Sequence, residues 1–191
     1  MSYIPLDPKN AVILFADLQA GILDLSATCD PARVRHAVAA LAKLGQIFQI
    51  PAVVTTAATQ SGEARVTPEI AASLGVLEPH TRTTTDAFTH PATREAIAQT
   101  KRKTLLIAGV ATEIIVQHSA LSAVAQGYDV QIVVDACGGL SARTEDAALR
   151  RLGQAGVVTT SIASIAGQLA GDFSRPKGQQ AIGVLYEIAK G

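Results

Sequence analysis

Asp17 closes the unbroken apolar run AVILFA, Ala11 to Ala16, within FADLQAGI. A carboxyl group at a buried strand end can act as general acid or base, because burial raises its pKa while a nearby cation lowers it. Its plainer role is a cap for the segment DLQAGI. Arg82, in HTRTTTDAF, is by default a surface cation. At a strand end facing Asp17 it would instead hold that carboxylate ionised, or clamp a ligand carboxylate through two N–H groups. The turn GVATE, Gly109 to Glu113, puts backbone N–H groups at a helix N-terminus, a ready place for an oxyanion or carboxylate. It also reads as a tight strand-to-helix connection with Thr112 as N-cap. Nucleophiles are commonly presented at such a turn, yet the residue two places after Glu113 is Ile115, which has no lone pair to attack with.

Other reactive side chains fit structural roles better. His118 and Ser119 follow Ile115 by three and four residues and mimic a base and a nucleophile, but adjacent helix positions diverge and do not face each other. A helix-packing or interface histidine is the expectation for His118. His36, His80 and His90 form no metal-ligand spacing. Cys137, in VVDACGG, has no sequence neighbour that would lower its pKa, and Cys29 precedes Asp30 and Pro31 without a motif. No GxGxxG or Walker-type loop is present. Neither a metal nor a cofactor is expected.

The elements that must position these residues alternate in type. AVILFA is a short buried strand, and from Pro31 the apolar positions Val34, Val38, Leu41, Leu44 and Phe48 recur at helical spacing, predicting a helix to about Gln49. AVVTT, Ala52 to Thr56, is a second strand, and the polar stretch Thr59 to Pro68 is long enough for a functional loop. A brief strand is expected at Arg82 to Thr85, a helix at Pro91 to Thr100 and a central strand at Thr104 to Ala108. A helix over Glu113 to Gln126 stops at Gly127, a strand spans Val130 to Val134, a helix over Thr144 to Ala155 stops at Gly156, and a last strand spans Val157 to Thr160. The tail from Asp172 carries Ile182, Val184, Leu185 and Ile188, apolar enough to dock on a neighbour. Such alternation predicts one three-layer α/β/α domain over residues 1–191 with a mainly parallel central sheet. Ligands bind beyond the carboxyl ends of such strands. Asp17, the Thr56 to Gln60 loop, the Ala111-Thr112 turn and Asp135 are the groups expected to converge there.

Composition narrows the function classes. The chain has 191 residues, 16 basic and 16 acidic, so no net field draws it to phosphate backbones or anionic lipid. Hydrophobic residues make up 48%, which suits a packed core. Pro5, Asp7 and Pro8 stand where a secretory signal would carry a basic start and an apolar run. A cytoplasmic protein with two reduced thiols, and with neither nucleic acid nor membrane as partner, is expected.

Taken together, DLQ after the first strand, RTTTDAF from Arg82 and GVATEIIV from Gly109 resemble motifs of the isochorismatase-like cysteine hydrolases. The similarity runs from AVILFADLQAGI to RLGQAGVVTTS, and GYDVQIVVDACGG and GVLYE fit as well. It is greatest to a branch of small bacterial hydrolases of mostly unassigned substrate, whose motifs read D-x-Q, R-T-T-x-N-A-W and G-x-x-T-E-V-C-V. The resemblance places Asp17 on the catalytic aspartate, Arg82 on the triad lysine position and Ile115 on the cysteine. Asp86 and Phe88 replace the Asn and Trp of the pocket loop. By the same resemblance Gln19, Asp86, Phe88, Ala111, Thr112 and Ile115 are substrate-binding positions, a cis peptide is expected at Ala111-Thr112, and the protein is a homo-oligomer. Zinc-binding members carry an Asp-x-His motif that this chain lacks. A thioester route needs a thiolate, so cysteine-type hydrolysis is expected to be absent and the pocket to retain a small carboxylate or carbonyl metabolite. Isochorismatases themselves lack the cysteine and are thought to protonate a vinyl ether with the aspartate. That implies a second possibility, hydrolysis with Asp17 as acid, against which Arg82 would work by lowering its pKa. A third is a structural subunit.

Overall fold

A computed structural model describes residues 5–58, 64–74 and 78–190. Its centre is a six-stranded sheet in the order β3-β2-β1-β4-β5-β6. The strands are β1 (Ala11–Ala16), β2 (Ala52–Ala57), β3 (His80–Arg82), β4 (Thr104–Val110), β5 (Asp129–Gly138) and β6 (Val158–Thr160), and every neighbouring pair is parallel. The helices are α1 (Pro31–Phe48), α2 (Pro68–Leu74), α3 (Pro91–Gln99), α4 (Gln117–Ala125), α5 (Ala142–Gln154), α6 (Ile162–Ala170) and α7 (Pro176–Lys190).

The unbroken apolar runs supply both faces of the sheet. Ala11, Ile13 and Phe15 of β1 pack in one core with α1, α6 and α7, while Val12, Leu14 and Ala16 pack in the other with α3, α4 and α5. β4 divides likewise, Leu106 and Ala108 going to the first and Leu105 and Ile107 to the second. This is the period-two exposure of a strand covered on both faces, and the domain is a three-layer α/β/α sandwich. Asp30 caps α1 by accepting a hydrogen bond from the Ala32 N–H, with Pro31 in the first turn. Ser141 and Ser161 cap α5 and α6.

Several boundaries differ from the expected ones. The strand expected at Arg82 to Thr85 lies at His80–Arg82, where β2 offers an edge to pair with. Beyond it the Arg82 side chain donates to Thr84 O, and Thr84 Oγ1 donates to Asp86 O, turning the chain off that edge. The helix expected from Glu113 begins as a π-type turn, Thr112–Val116, because Ala111 O accepts from the Val116 N–H five residues on. β5 runs to Gly138 rather than Val134, since an irregularity between Ile107 and Gly109 lets Gly109 pair with Cys137. Helices α2, α6 and α7 were not anticipated. The apolar tail forms α7 and packs on α1 and α6 of its own chain. Residues 59–63 of the polar loop lie outside the described residues. Among the described residues, no helix is long and apolar enough to cross a membrane.

Candidate functional site

The close passage of β1 and β4 sets the site. A Cβ on Gly109 would stand 2.3 Å from Ala16 O and 2.9 Å from Ala16 Cβ, so only glycine lets the end of β4 lie against the residue preceding Asp17. Asp17 then leaves β1 in the left-handed region, at φ 57°, a conformation that aspartate tolerates better than most residues. Its N–H still donates to Thr55 O, which ties the turn to β2.

Arg82, at the end of β3, meets Asp17 through Nη2 to Oδ2 at 2.5 Å. Both side chains are buried, at 2% and 7% exposure respectively. Burial pushes the Asp17 carboxyl above its ordinary value; the Arg82 charge and hydrogen bond pull against that rise and do not cancel it. The nearby Thr55 hydroxyl pulls the same way, short of hydrogen-bond geometry. Arg82 thus acts in the expected downward direction, but withdrawal from water is the larger effect. Asp17 Oδ1 and Arg82 Nε have no hydrogen-bond partner among the described residues.

A cavity of about 280 Å³ opens at this pair. Asp17, Ala57, Ala58, Arg82 and Thr83 to Thr85 form one side, and Val110, Ala111, Ile114 and Ile115 the other. Ile22 and Leu25, at a short 3-10 turn, and Leu140 from the loop after β5 complete it. Those segments are joined to each other: the Ala27 N–H donates to Gly139 O, and the Gly139 N–H to Thr28 Oγ1. Glu113 Oε1 accepts from the Leu140 N–H and from Thr144 Oγ1, which fastens the rim to the π-type turn. Ile115 is 1% exposed and packs with Val116 and Ala120 in the second core.

Of the residues nominated from sequence, Asp17, Arg82, Ala111 and Ile115 line the cavity. Gln19, Asp86, Phe88 and Thr112 stand behind its wall. The Gln19 amide donates to Ala57 O at 3.0 Å and accepts from the Ala57 N–H at 2.7 Å, so it clamps the end of β2. Asp86 accepts from the Phe88 N–H and from Ser122 Oγ. Phe88 is buried edge-on against Tyr128. Thr112 donates to Glu145 rather than capping its turn, where Ala111 holds the cap position. The cis bond is Val110-Ala111, one place before the expected one. Asp135 lies within β5 and accepts from the Ile162 N–H at the start of α6. His118 is exposed rather than packed, whereas Ser119 is buried and accepts from the Ala87 N–H. Cys29 and Cys137 are free thiols and do not line the cavity. Ile22, Leu25, Thr83 to Thr85, Val110, Ile114 and Leu140 also line the cavity and were missed; the available signal was their place just beyond a strand's carboxyl end.

A parallel α/β sandwich with its cavity at the carboxyl edge of the sheet, between β1 and β4, defines the class. The Isochorismatase domain matches residues 11–164, and the chain belongs to the isochorismatase family. The probable hydrolase YcaC of Escherichia coli (strain K12) is 33% identical over 172 residues, covering 90% of this chain and 83% of that protein. The 1.8 Å crystal structure of the Escherichia coli YcaC gene product, an octameric hydrolase of unknown specificity, matches with a TM-score of 0.87 at 32% identity, covering 98% of this chain and 90% of that one. YcaC from Pseudomonas aeruginosa, solved with hexane-2,5-diol and covalent acrylamide, matches with a TM-score of 0.88 at 30% identity, covering 100% and 96%. The protein is thus hydrolase-like by family, of unknown specificity.

Proposed function

We propose that this protein binds a small metabolite of the carboxylate or carbonyl class at the Asp17–Arg82 cavity and does not hydrolyse it through a thiol. The observation that carries this reading is Ile115: an apolar, buried side chain lines the cavity wall at the position the family resemblance assigns to the cysteine. Neither native thiol is a substitute. Burial pushes the Cys137 thiol up to about 12 and that of Cys29 upward as well, so neither supplies a thiolate at neutral pH. The test is a hydrolysis screen of amide, ester and vinyl-ether metabolites with the wild type, Asp17→Asn and Ile115→Cys. Silence in the wild type with ligand binding retained is the expected result; amide turnover by the wild type would overturn the reading.

One observation favours a second reading, a cysteine-independent hydrolase. Burial raises the Asp17 pKa despite Arg82, the direction that a proton donor to a vinyl ether requires. Vinyl-ether turnover that disappears in folded Asp17→Asn would select it. The octameric state of the Escherichia coli YcaC supports a homo-oligomer here, in keeping with exposed Phe173 and Tyr186. Light scattering coupled to size exclusion measures that mass, and a monomer would refute it.

A further inference from the structure

We infer that the Asp17–Arg82 pair makes the cavity selective for uncharged ligands, such as an amide on an apolar body, over carboxylates and ammonium ions. The inference rests on the proposed reading of the cavity as a ligand pocket and narrows the ligand class to its uncharged members.

Charge is the first ground. The described lining contains one cation and one carboxylate, Arg82 and Asp17, and they face each other at 2.5 Å. Two of the guanidinium's arms are engaged, Nη2 by Asp17 and Nη1 by Thr84 O. Arginine does not deprotonate in proteins, so the ionised pair sums to zero and its guanidinium offers an anion no uncompensated charge. A carboxylate entering the cavity would lose its hydration and meet Asp17, a like charge, as closely as Arg82. A buried charge without its own partner costs several kcal/mol.

The cavity wall is the second ground. Asp17 Oδ1 and Arg82 Nε have no accessible surface, so the pair offers a ligand little beyond a compensated polar end. Beyond the pair the cavity is mostly apolar, down to Ile115, and its mouth is edged by Leu25, Ile114 and Leu140, which are 57%, 38% and 44% exposed. Such walls favour an alkyl or aryl body.

The test is a matched six-carbon series, hexan-1-ol, hexanamide, hexanoate and hexylammonium, titrated at pH 7 into the full chain. Binding is followed by NMR of labelled Ile and Leu methyl groups, and hexanamide is checked for turnover. The wild type is expected to bind the alcohol and the amide at least about tenfold more tightly than either ion. In Asp17→Asn the Arg82 charge is uncompensated, and hexanoate should gain at least about tenfold while hexan-1-ol changes little. Arg82→Met should instead favour hexylammonium. Hexanoate binding as well as the alcohol in the wild type would overturn the inference while leaving the pocket reading intact. Failure of folded Asp17→Asn to gain anion affinity would overturn the role given to the pair. No methyl response to any probe would overturn the pocket reading itself, and the inference with it. Should a variant not fold, the wild-type series alone decides.

Discussion

Arg82→Met isolates what the buried pair contributes. The Arg82 and Asp17 side chains are 2% and 7% exposed and meet at 2.5 Å. Methionine keeps much of the side-chain volume but leaves the Asp17 carboxylate buried without a counter-charge, and breaking a buried pair from one side costs about 3–5 kcal/mol. An internal comparison separates burial from distance. Arg150 and Asp146 meet at 2.7 Å with side chains 69% and 59% exposed, and Arg150→Met should cost less than about 1 kcal/mol. The pH dependence has a definite sign. Desolvation raises the Asp17 pKa above 3.8 and Arg82 opposes it, so removing Arg82 raises it further. Between 3.8 and the raised value, the folded variant holds a proton that the unfolded chain does not. Stability therefore falls as pH rises through that window, and the penalty of Arg82→Met is largest at neutral pH. Adding Asp17→Asn removes the unpaired charge and should recover most of the loss. Urea unfolding followed by far-UV circular dichroism suits a chain without Trp. A penalty under about 1 kcal/mol, or one independent of pH, would refute the reasoning.

Gly109→Ala puts a methyl 2.3 Å from Ala16 O, where two paired strands would have to separate. A loss of about 1–3 kcal/mol in urea unfolding is expected, with altered probe binding at the cavity because Asp17 follows Ala16. Gln19→Leu leaves the half-buried Ala57 N–H and C=O without their side-chain partner; about 1 kcal/mol per lost bond is expected, and hydrogen exchange at the Ala57 amide should quicken. Thiol labelling followed by mass spectrometry should modify Cys29 slowly and Cys137 only after unfolding, because burial pushes the latter up to about 12. Fast native labelling at Cys137 would contradict that burial.

The strand AVILFA, the parallel sheet and the convergence of Asp17 with the turn after β4 were legible because each depends on local pattern: an unbroken apolar run, a charged residue at its end, a glycine before a helix. Arg82 had no such pattern and was nominated only through the family resemblance. What the pattern did not carry was side-chain direction. Gln19 lies two residues from Asp17, and Thr112 next to Ala111, yet both face away from the cavity and hold backbone or loops. Asp135 seemed to end a strand because Val130 to Val134 is the apolar part; pairing of Gly109 with Cys137 prolongs β5 past it. The direction of the Asp17 shift was equally hidden. It is a contest between burial and an opposite charge, and sequence shows that both are present without showing which is larger.

The proposed loss of thiol chemistry at Ile115 would leave the shape of the site intact. The groups that place Asp17 and Arg82 are the Asp17 N–H to Thr55 O bond, the Arg82 to Thr84 O bond and the missing Cβ of Gly109, and none of them involves residue 115. Its side chain packs into the second core, where an isoleucine buries more apolar surface than a cysteine, at about 0.8 kcal/mol per methylene. On packing grounds alone, then, the fold has reason to retain isoleucine. Nothing in the pair's geometry resists it either, since Arg82 is already committed to Asp17. On the proposed reading, the cavity's polarity rather than a nucleophile is the property by which it selects a molecule.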